Sequence, residues 1–462
     1  MRKLAIIALT ISLFAACSSS YETVRTATIS GTITNPKSEV ITFRKGDVSE
    51  TDSLSETGSF EVTFELEEAG EIRFSHGGEY GSLYAHPGDA IILTLDTDEF
   101  DETLVFTGDA ADINNYLAAM TLLSDSLPTY RDKMMRDEAA FLKVQDSIKE
   151  LKIGYLNAVS DEEFKALTKE KLFWDTYSER LDYEMSHEYY LELPLDDFSV
   201  SDDFYSFLTT LDINDSSKLN NPSFKRYVTG LVRFTTPGIL TADSSLSYFE
   251  GYLVALDSVI SSKPIRDVLI HKLITGSYSY LPEDFKAGLI INWKSGKPNP
   301  KLVSEVDELV ASWARLNRGQ PALDFSYESI NGDTLTMADF KGSVVYIDVW
   351  ATWCGPCIGE HPYMEKLQEE FKDQNVTFIA VSIDNTKEPW IKMVNDKKLG
   401  GVHVFAPGAW NSSIINDYMI QGIPRFILID QEGNIVDATA QRPSGNIDEE
   451  IEKLLNPTNE DV

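Results

Sequence analysis

The chain has 462 residues, room for two to four domains, and its 42% hydrophobic and 11% aromatic content is that of a globular protein. Lys and Arg number 40 against 74 Asp and Glu, a formal net charge of −34. Such a surface argues against nucleic acid or an anionic bilayer face as a partner and suits solubility in a salty exterior medium.

Residues 1–17 read as a targeting segment: Arg2 and Lys3 are its basic start, and Leu4 to Ala16 is an apolar run too short to span a bilayer. It ends in Leu13-Phe14-Ala15-Ala16-Cys17, which resembles the lipobox of bacterial lipoproteins, cut before a cysteine that is then lipidated. Phe14 stands where Leu is commonest, and plain secretion is the alternative. With Cys17 assigned to lipid, the 3 cysteines leave one pair, with no structural thiols to be scrambled outside the cell. Ser18 to Ser20 then make a short tether.

Over residues 23–110 the segments TATISGTI, SEVITFRKG, SFEVTFELE, GEIRFSH and DAIILTLD are separated by Gly, Pro, Asn and Asp turns. The alternation predicts an all-β domain of antiparallel strands, a small sandwich or barrel. His76 and His86 stand beside turns without a Cys or carboxylate at ligand spacing, which predicts surface histidines. Gly77-Gly78 is a turn, not a phosphate loop.

Over residues 111–319 the period lengthens. Segments 144–158, 161–189, 201–210, 243–263, 282–293 and 301–317 carry apolar residues three and four apart, predicting a helical domain that continues a helix leaving the sheet at Tyr116. Phe173, Trp174, Tyr177, Tyr183, Tyr189 and Tyr190 predict buried core, with a groove for polypeptide or glycan as the alternative. His187 and His271 have no companions, and no second apolar run reaches spanning length.

Residues 320–462 alternate strand and helix, an α/β pattern. Strands are expected at Ser343–Val349, Val376–Asp384 and Val402–Phe405, with a hairpin of Arg425–Asp430 and Ile435–Ala440 about Glu432-Gly433-Asn434. Helices are expected at Cys354–Asp373, Glu388–Lys397, Ser412–Met419 and Ile447–Leu455. Within this pattern stands YIDVWATWCGPC, Tyr346 to Cys357. The strand gives way to a turn at Ala351 to Trp353, so Cys354 begins the next helix, whose free N–H groups and dipole stabilise a thiolate. Gly355 lets the backbone pass close, and Pro356 fits the first turn, where its missing N–H costs little. Cys357 follows one turn behind, within reach of a disulfide with Cys354, which is the arrangement for thiol–disulfide exchange.

These residues resemble the thioredoxin superfamily, whose active-site motif is WCGPC, and in particular its membrane-tethered, extracytoplasmic branch typified by TlpA and ResA. The resemblance spans roughly Pro321 to Leu455 and includes PALDF at Pro321, DFKG at Asp339, GEHP at Gly359 and GIPRFILID at Gly422. It implies a thioredoxin fold, with Pro424 as a cis-proline facing the cysteines and Ile423 offering backbone N–H and C=O to an extended substrate. The stretch between the second strand and Pro424 matches the insertion of that branch. The amino-terminal GSF turn at Gly58, HPGD turn at His86 and FTGDAADINNYL passage resemble the domain that precedes thioredoxin modules in Bacteroidetes lipoproteins.

Asp348 lies in an apolar strand and matches the buried aspartate that moves the proton of the second cysteine in thioredoxins. Burial raises such a pKa toward the range of a base, and an inward Asp tied up by a hydrogen bond is the alternative. Glu360 shares the helical face of Cys357 and matches the acidic residue that tunes the pair in ResA-like proteins, against a solvated helix carboxylate. Arg425 departs from the Thr usual after the cis-proline, and a guanidinium there would stabilise the thiolate or select an acidic partner. Trp353 is expected to shield the thiol and touch substrate, and Trp350 to pack. With only His361 nearby and no second CxxC, no metal site is expected. Ala351 and Ile347 stand where a peroxiredoxin would have Thr and Pro, so that pattern fails.

The sequence therefore predicts a multidomain protein with a carboxy-terminal thioredoxin-like domain, an extracytoplasmic thiol–disulfide oxidoreductase needing no cofactor beyond its dithiol. Its expected partners are disulfide-bearing envelope proteins and a membrane electron donor, with a lipid anchor facing the periplasm. The Gly-Pro dipeptide resembles reducing members of the fold; a thiol oxidase or isomerase, or a binding lipoprotein with an auxiliary redox module, are the alternatives.

Overall fold

A computed structural model describes residues 25–46, 48–194 and 197–456. The targeting segment and Cys17 lie outside the described residues, and no helix among those described is long and apolar enough to cross a membrane. The chain divides into two compact units, one ending at Val259 and one beginning at Ile260.

The first unit opens with eight strands: β1 (Thr26–Thr34), β2 (Val40–Lys45), β3 (Val48–Ser53), β4 (Ser59–Glu65), β5 (Gly70–His76), β6 (Glu79–Ala85), β7 (Ala90–Asp96) and β8 (Val105–Gly108). They form two four-stranded sheets, ordered β4-β1-β7-β8 and β3-β2-β5-β6. Alternation decides which side chains meet: in β4, Phe60, Val62 and Phe64 are buried while Glu61 and Thr63 are exposed. Ile29, Phe64 and Leu93 from one sheet and Phe43, Ile72 and Phe74 from the other share one core, so the domain is a sandwich. One expectation is corrected: β1 and β7 run parallel, so the domain is not wholly antiparallel.

His76 also departs from expectation. It ends β5 on the face of Ile72 and Phe74 and is therefore buried, Nδ1 donating to Val40 O at 2.9 Å and Nε2 accepting Lys37 N–H at 3.2 Å. His86 lies between two carboxylates, Asp89 at 3.2 Å and Asp161 at 3.3 Å, the second too distant in sequence to be read.

A short helix α1 (Phe100–Thr103) precedes β8, and α2 (Ala111–Ser126) follows it. Asn114 and Asn115 of α2 each make paired bonds to the backbone of an edge strand, at Tyr84 of β6 and Phe106 of β8, which blocks those edges. The helices α3 (Tyr130–Met134), α4 (Glu138–Leu156), α5 (Glu162–Leu191), α6 (Pro222–Ala242) and α7 (Tyr248–Val259) complete the unit. Of the aromatic run, Trp174 and Tyr183 are buried core and Phe173, Tyr177 and Tyr190 are half-buried. Tyr183 stacks on Phe141 at 4.1 Å and Trp174 packs on Phe224 and Tyr227, whereas Tyr189 is exposed. The expected helix 201–210 is a short 3-10 turn, Ser206–Thr209.

The second unit begins with α8 (Lys263–Ser277), α9 (Glu283–Ser295) and α10 (Pro300–Ala314), in which His271 pairs with Glu305 at 2.9 Å. There follow β9 (Ser326–Ser329), β10 (Thr334–Thr336), β11 (Val344–Trp350), α11 (Gly355–Glu370), β12 (Val376–Ser382), α12 (Lys387–Lys397), β13 (Val402–Phe405), α13 (Ser413–Asp417), β14 (Arg425–Ile429), β15 (Ile435–Asp437) and α14 (Ile447–Leu455). The strands make one mixed sheet ordered β10-β9-β13-β12-β11-β14-β15. β11 is central, parallel to β12 and antiparallel to β14, and all seven of its residues are buried. Tyr346, Phe378 and Phe426 meet Leu367 of α11 and Phe371, which caps its end, on one face, while Val345, Ile347 and Val349 belong to the cluster on the other. This α/β domain, the β sandwich and the helices are the architecture expected.

Candidate active site

The end of β11 and the start of α11 are joined by a turn that Asp384 holds. Its carboxylate accepts the Thr352 hydroxyl at 2.7 Å and the Thr352 N–H at 3.1 Å, and Ser382 Oγ at 2.8 Å. Asp384 was not singled out from sequence, since it follows a different strand. Cys354 is the N-cap of α11: its Sγ accepts the N–H of Cys357 at 3.2 Å, and Pro356 occupies the first turn. Cys354 and Cys357 are joined by a disulfide with Cα atoms 5.3 Å apart. Cys354 is 5% exposed and Cys357 1%.

The Ile423–Pro424 peptide is cis, immediately before β14, which pairs with β11. Ile423 packs against the cysteines' core cluster. Trp353 is more than half exposed beside Cys354, its ring 6.2 Å from the part-exposed Trp410, which sequence reading passed over. Trp350 is buried, packed edge-on to His361 at 5.0 Å.

Asp348 is 4% exposed and its Oδ1 has no hydrogen-bond partner, so it is not an Asp tied up by bonding. Burial, reinforced by the charge of Glu360, pushes its pKa up to about 8. Glu360 is no solvated helix carboxylate. It is buried and accepts Ser444 N–H at 3.1 Å and Ser444 Oγ at 3.0 Å, with Arg442 at 3.7 Å. Those partners lie far along the chain and gave no sequence signal.

Arg425 is placed differently from the groove position expected of it. It is 3% exposed, on the face of β14 that pairs with Val349 rather than with Asp348, and its guanidinium lies against Ala438 O at 3.4 Å and over the Tyr280 ring at 5.6 Å. Strand alternation turns it away from the face of Asp348 and α11. Burial lowers its pKa from the ordinary guanidinium value. His361 is buried too, its pKa pulled down to about 4 by burial and then by Lys397 and His403. Among the described residues no cluster of three or more His, Cys, Asp or Glu could hold a metal.

The Redoxin family model matches residues 317–455. The thiol-disulfide oxidoreductase ResA of Bacillus subtilis is 29% identical over 142 residues, 31% of this chain and 78% of that protein. ResA of Halalkalibacterium halodurans is 31% identical over 139 residues, 30% of this chain and 77% of that protein. The thioredoxin domain of a thiol-disulfide oxidoreductase from Bacteroides vulgatus, solved as a crystal structure, is 32% identical and covers 30% of this chain and 99% of that one, with a TM-score of 0.29. The Redoxin match falls on the carboxy-terminal third of the chain. The buried, bonded CxxC pair at a helix start within such a domain is oxidoreductase machinery.

Proposed function

We propose, from the premise that this chain belongs to the thioredoxin superfamily through its redoxin domain at residues 317–455, that it reduces disulfides of envelope proteins outside the cytoplasm. The observation that carries this reading is the Cys354–Cys357 pair at the start of α11 with the unbonded, buried Asp348 in the adjoining strand. In the reduced protein the Cys354 thiolate attacks a substrate disulfide, displacing one substrate thiolate and forming a mixed disulfide beside Pro424. Cys357 then attacks Cys354 Sγ. Its proton passes to Asp348, the second substrate sulfur leaves as thiolate and takes a proton from solvent, and the protein is left oxidised.

Trp353 and Trp410 supply an exposed apolar rim for the polypeptide around the substrate cysteine, and the backbone of Ile423 its extended contacts. Glu360 tunes Asp348 by charge. Cys17 anchors the chain by lipid, and a membrane protein returns electrons to the dithiol. Trapping tests the reading: Cys357→Ala leaves attack intact and removes resolution, so it should retain envelope proteins through a dithiothreitol-sensitive bond to Cys354. Absence of any such adduct from intact cells would sink it, and replacing Cys17 with Ala should abolish palmitate labelling.

A further inference from the structure

Behind Asp348, between α11 and the flank of the sheet formed by β12 and β13, lies a cavity of about 30 Å³. A single water needs roughly 10–15 Å³ measured this way, so there is room for one or two. Four side chains that line it, Asp348, Trp350, His361 and His403, each carry a buried polar atom with no hydrogen-bond partner: Oδ1, Nε1, Nδ1 and Nδ1 respectively. Four orphans around one small space are far from chance, because buried polar groups in folded proteins are nearly always satisfied.

Their chemistry is complementary. His403 Nε2 faces the carbonyl oxygens of Gly400 at 3.0 Å and Leu399 at 3.2 Å, so it carries the hydrogen and Nδ1 is left a bare acceptor. Trp350 Nε1 is a donor only. Asp348 is donor or acceptor according to its protonation. A water therefore finds the mixed partners that hold it in place. The outer wall is Glu365, Gln368 and Gly400, where Gln368 Nε2 bonds Gly400 O at 3.2 Å in an exposed position. The charged groups around this region are Glu360 and Glu365 on α11 and Lys397 at the end of α12.

Sheet order gives the cavity its meaning. β12 and β13 flank β11 on one side, while Pro424 and β14 flank it on the other. We propose that the cavity is a hydration site and the proton port of the dithiol: water held by His403, His361 and Trp350 carries protons between Asp348 and solvent on the flank away from Pro424, so exchange stays open while substrate fills the groove. The inference rests on Asp348 as the base. When Cys357 S–H breaks, its proton bonds to the Asp348 carboxylate; the resulting acid releases a proton to cavity water, which passes it outward past Gln368 and Gly400. The electrons move only between sulfurs, as in the parent reaction. His361 and His403 are positioning residues.

Two kinds of variant of the full chain test this. Ala380 lines the cavity beside Asp348 in the register of β11 and β12, so Ala380→Val fills the space without touching a polar group. His403→Phe removes the acceptor, whereas His403→Gln can both donate to the carbonyls and accept from water. The expected result is a water cross-peak at the Ala380 methyl of the wild-type chain. Ala380→Val and His403→Phe should slow resolution of a Cys354 mixed disulfide about tenfold or more at neutral pH, with Cys354 alkylation unchanged, and His403→Gln should restore it. No water contact at Ala380, or wild-type resolution in folded Ala380→Val and His403→Phe, would overturn the port. A wild-type chain whose Cys354 attacks no disulfide would overturn the parent reading instead.

Discussion

Glu360 sits one helical turn beyond Cys357 and acts by its charge on Asp348, while its own oxygens are taken by Ser444. The helix that carries the dithiol thus also carries the group that holds the strand carboxyl nearer its proton. Asp348 at about 8 is mostly protonated at neutral pH and becomes the better base as pH rises.

Asp348→Asn should therefore slow resolution near neutral pH while sparing the first attack by Cys354. The defect should shrink at high pH, where Cys357 ionises unaided. Rapid-quench measurement of the two steps against pH checks this; equal rates across pH 7 to 8 would remove Asp348 from the chemistry. Glu360→Gln and the double variant extend it, since a shared proton makes the losses non-additive.

The same shift fixes a stability prediction. The folded pKa of Asp348, about 8, lies above its unfolded value of roughly 3.9, so its contribution is full below the lower value and is lost as pH rises through the higher. Asp348→Asn lacks that loss. Its unfolding free energy relative to wild type should rise by at most about 1.4 kcal/mol per pH unit from about pH 4 to about pH 8 and then level. A margin independent of pH would contradict the burial argument.

Much of this was legible in sequence, and what was not has particular causes. β11 could be read because burial on both faces demands an unbroken apolar run, against which Asp348 stands out. Residues 222–242 lie within the expected helical domain but outside the segments whose apolar spacing marks a helix. They contain Pro237 and several threonines whose hydroxyls bond back to carbonyls four residues earlier, low-propensity choices that packing of Phe224, Tyr227 and Val228 overrides. β3, with the sequence VSETDS, is an edge strand without an apolar face. In the site, Cys354, Cys357 and Pro424 follow from local spacing or motif. Ser444 on Glu360, Trp410 beside Trp353 and His403 across from Asp348 come from distant segments, and only the fold brings them in.

The helix start predicts unequal thiols. Cys354, the N-cap, should have a thiolate pKa below the ordinary value of about 8.5, and Cys357, buried one turn on, a higher one. Alkylation of each single-cysteine variant against pH measures both. Equal reactivity would contradict the placement.

The exposed tryptophan pair predicts a split between substrates. Trp410→Ala should weaken reaction with polypeptide disulfides by roughly 2- to 10-fold through KM, as expected for loss of an aromatic contact of about 0.5–1.5 kcal/mol, and leave a small linear disulfide such as hydroxyethyl disulfide unaffected. Equal losses on both would point to damage at the dithiol.

The central claim is that Cys354 attacks and Cys357 resolves. Its most direct test is mass mapping of acid-quenched single turnovers, in which the reduced full chain meets one equivalent of a disulfide-bonded peptide. The account predicts a transient peptide adduct on Cys354, then a Cys354–Cys357 disulfide with two free peptide thiols, and a persistent Cys354 adduct in Cys357→Ala. An adduct on Cys357 instead, or a peptide that stays oxidised while the dithiol stays reduced, would contradict it.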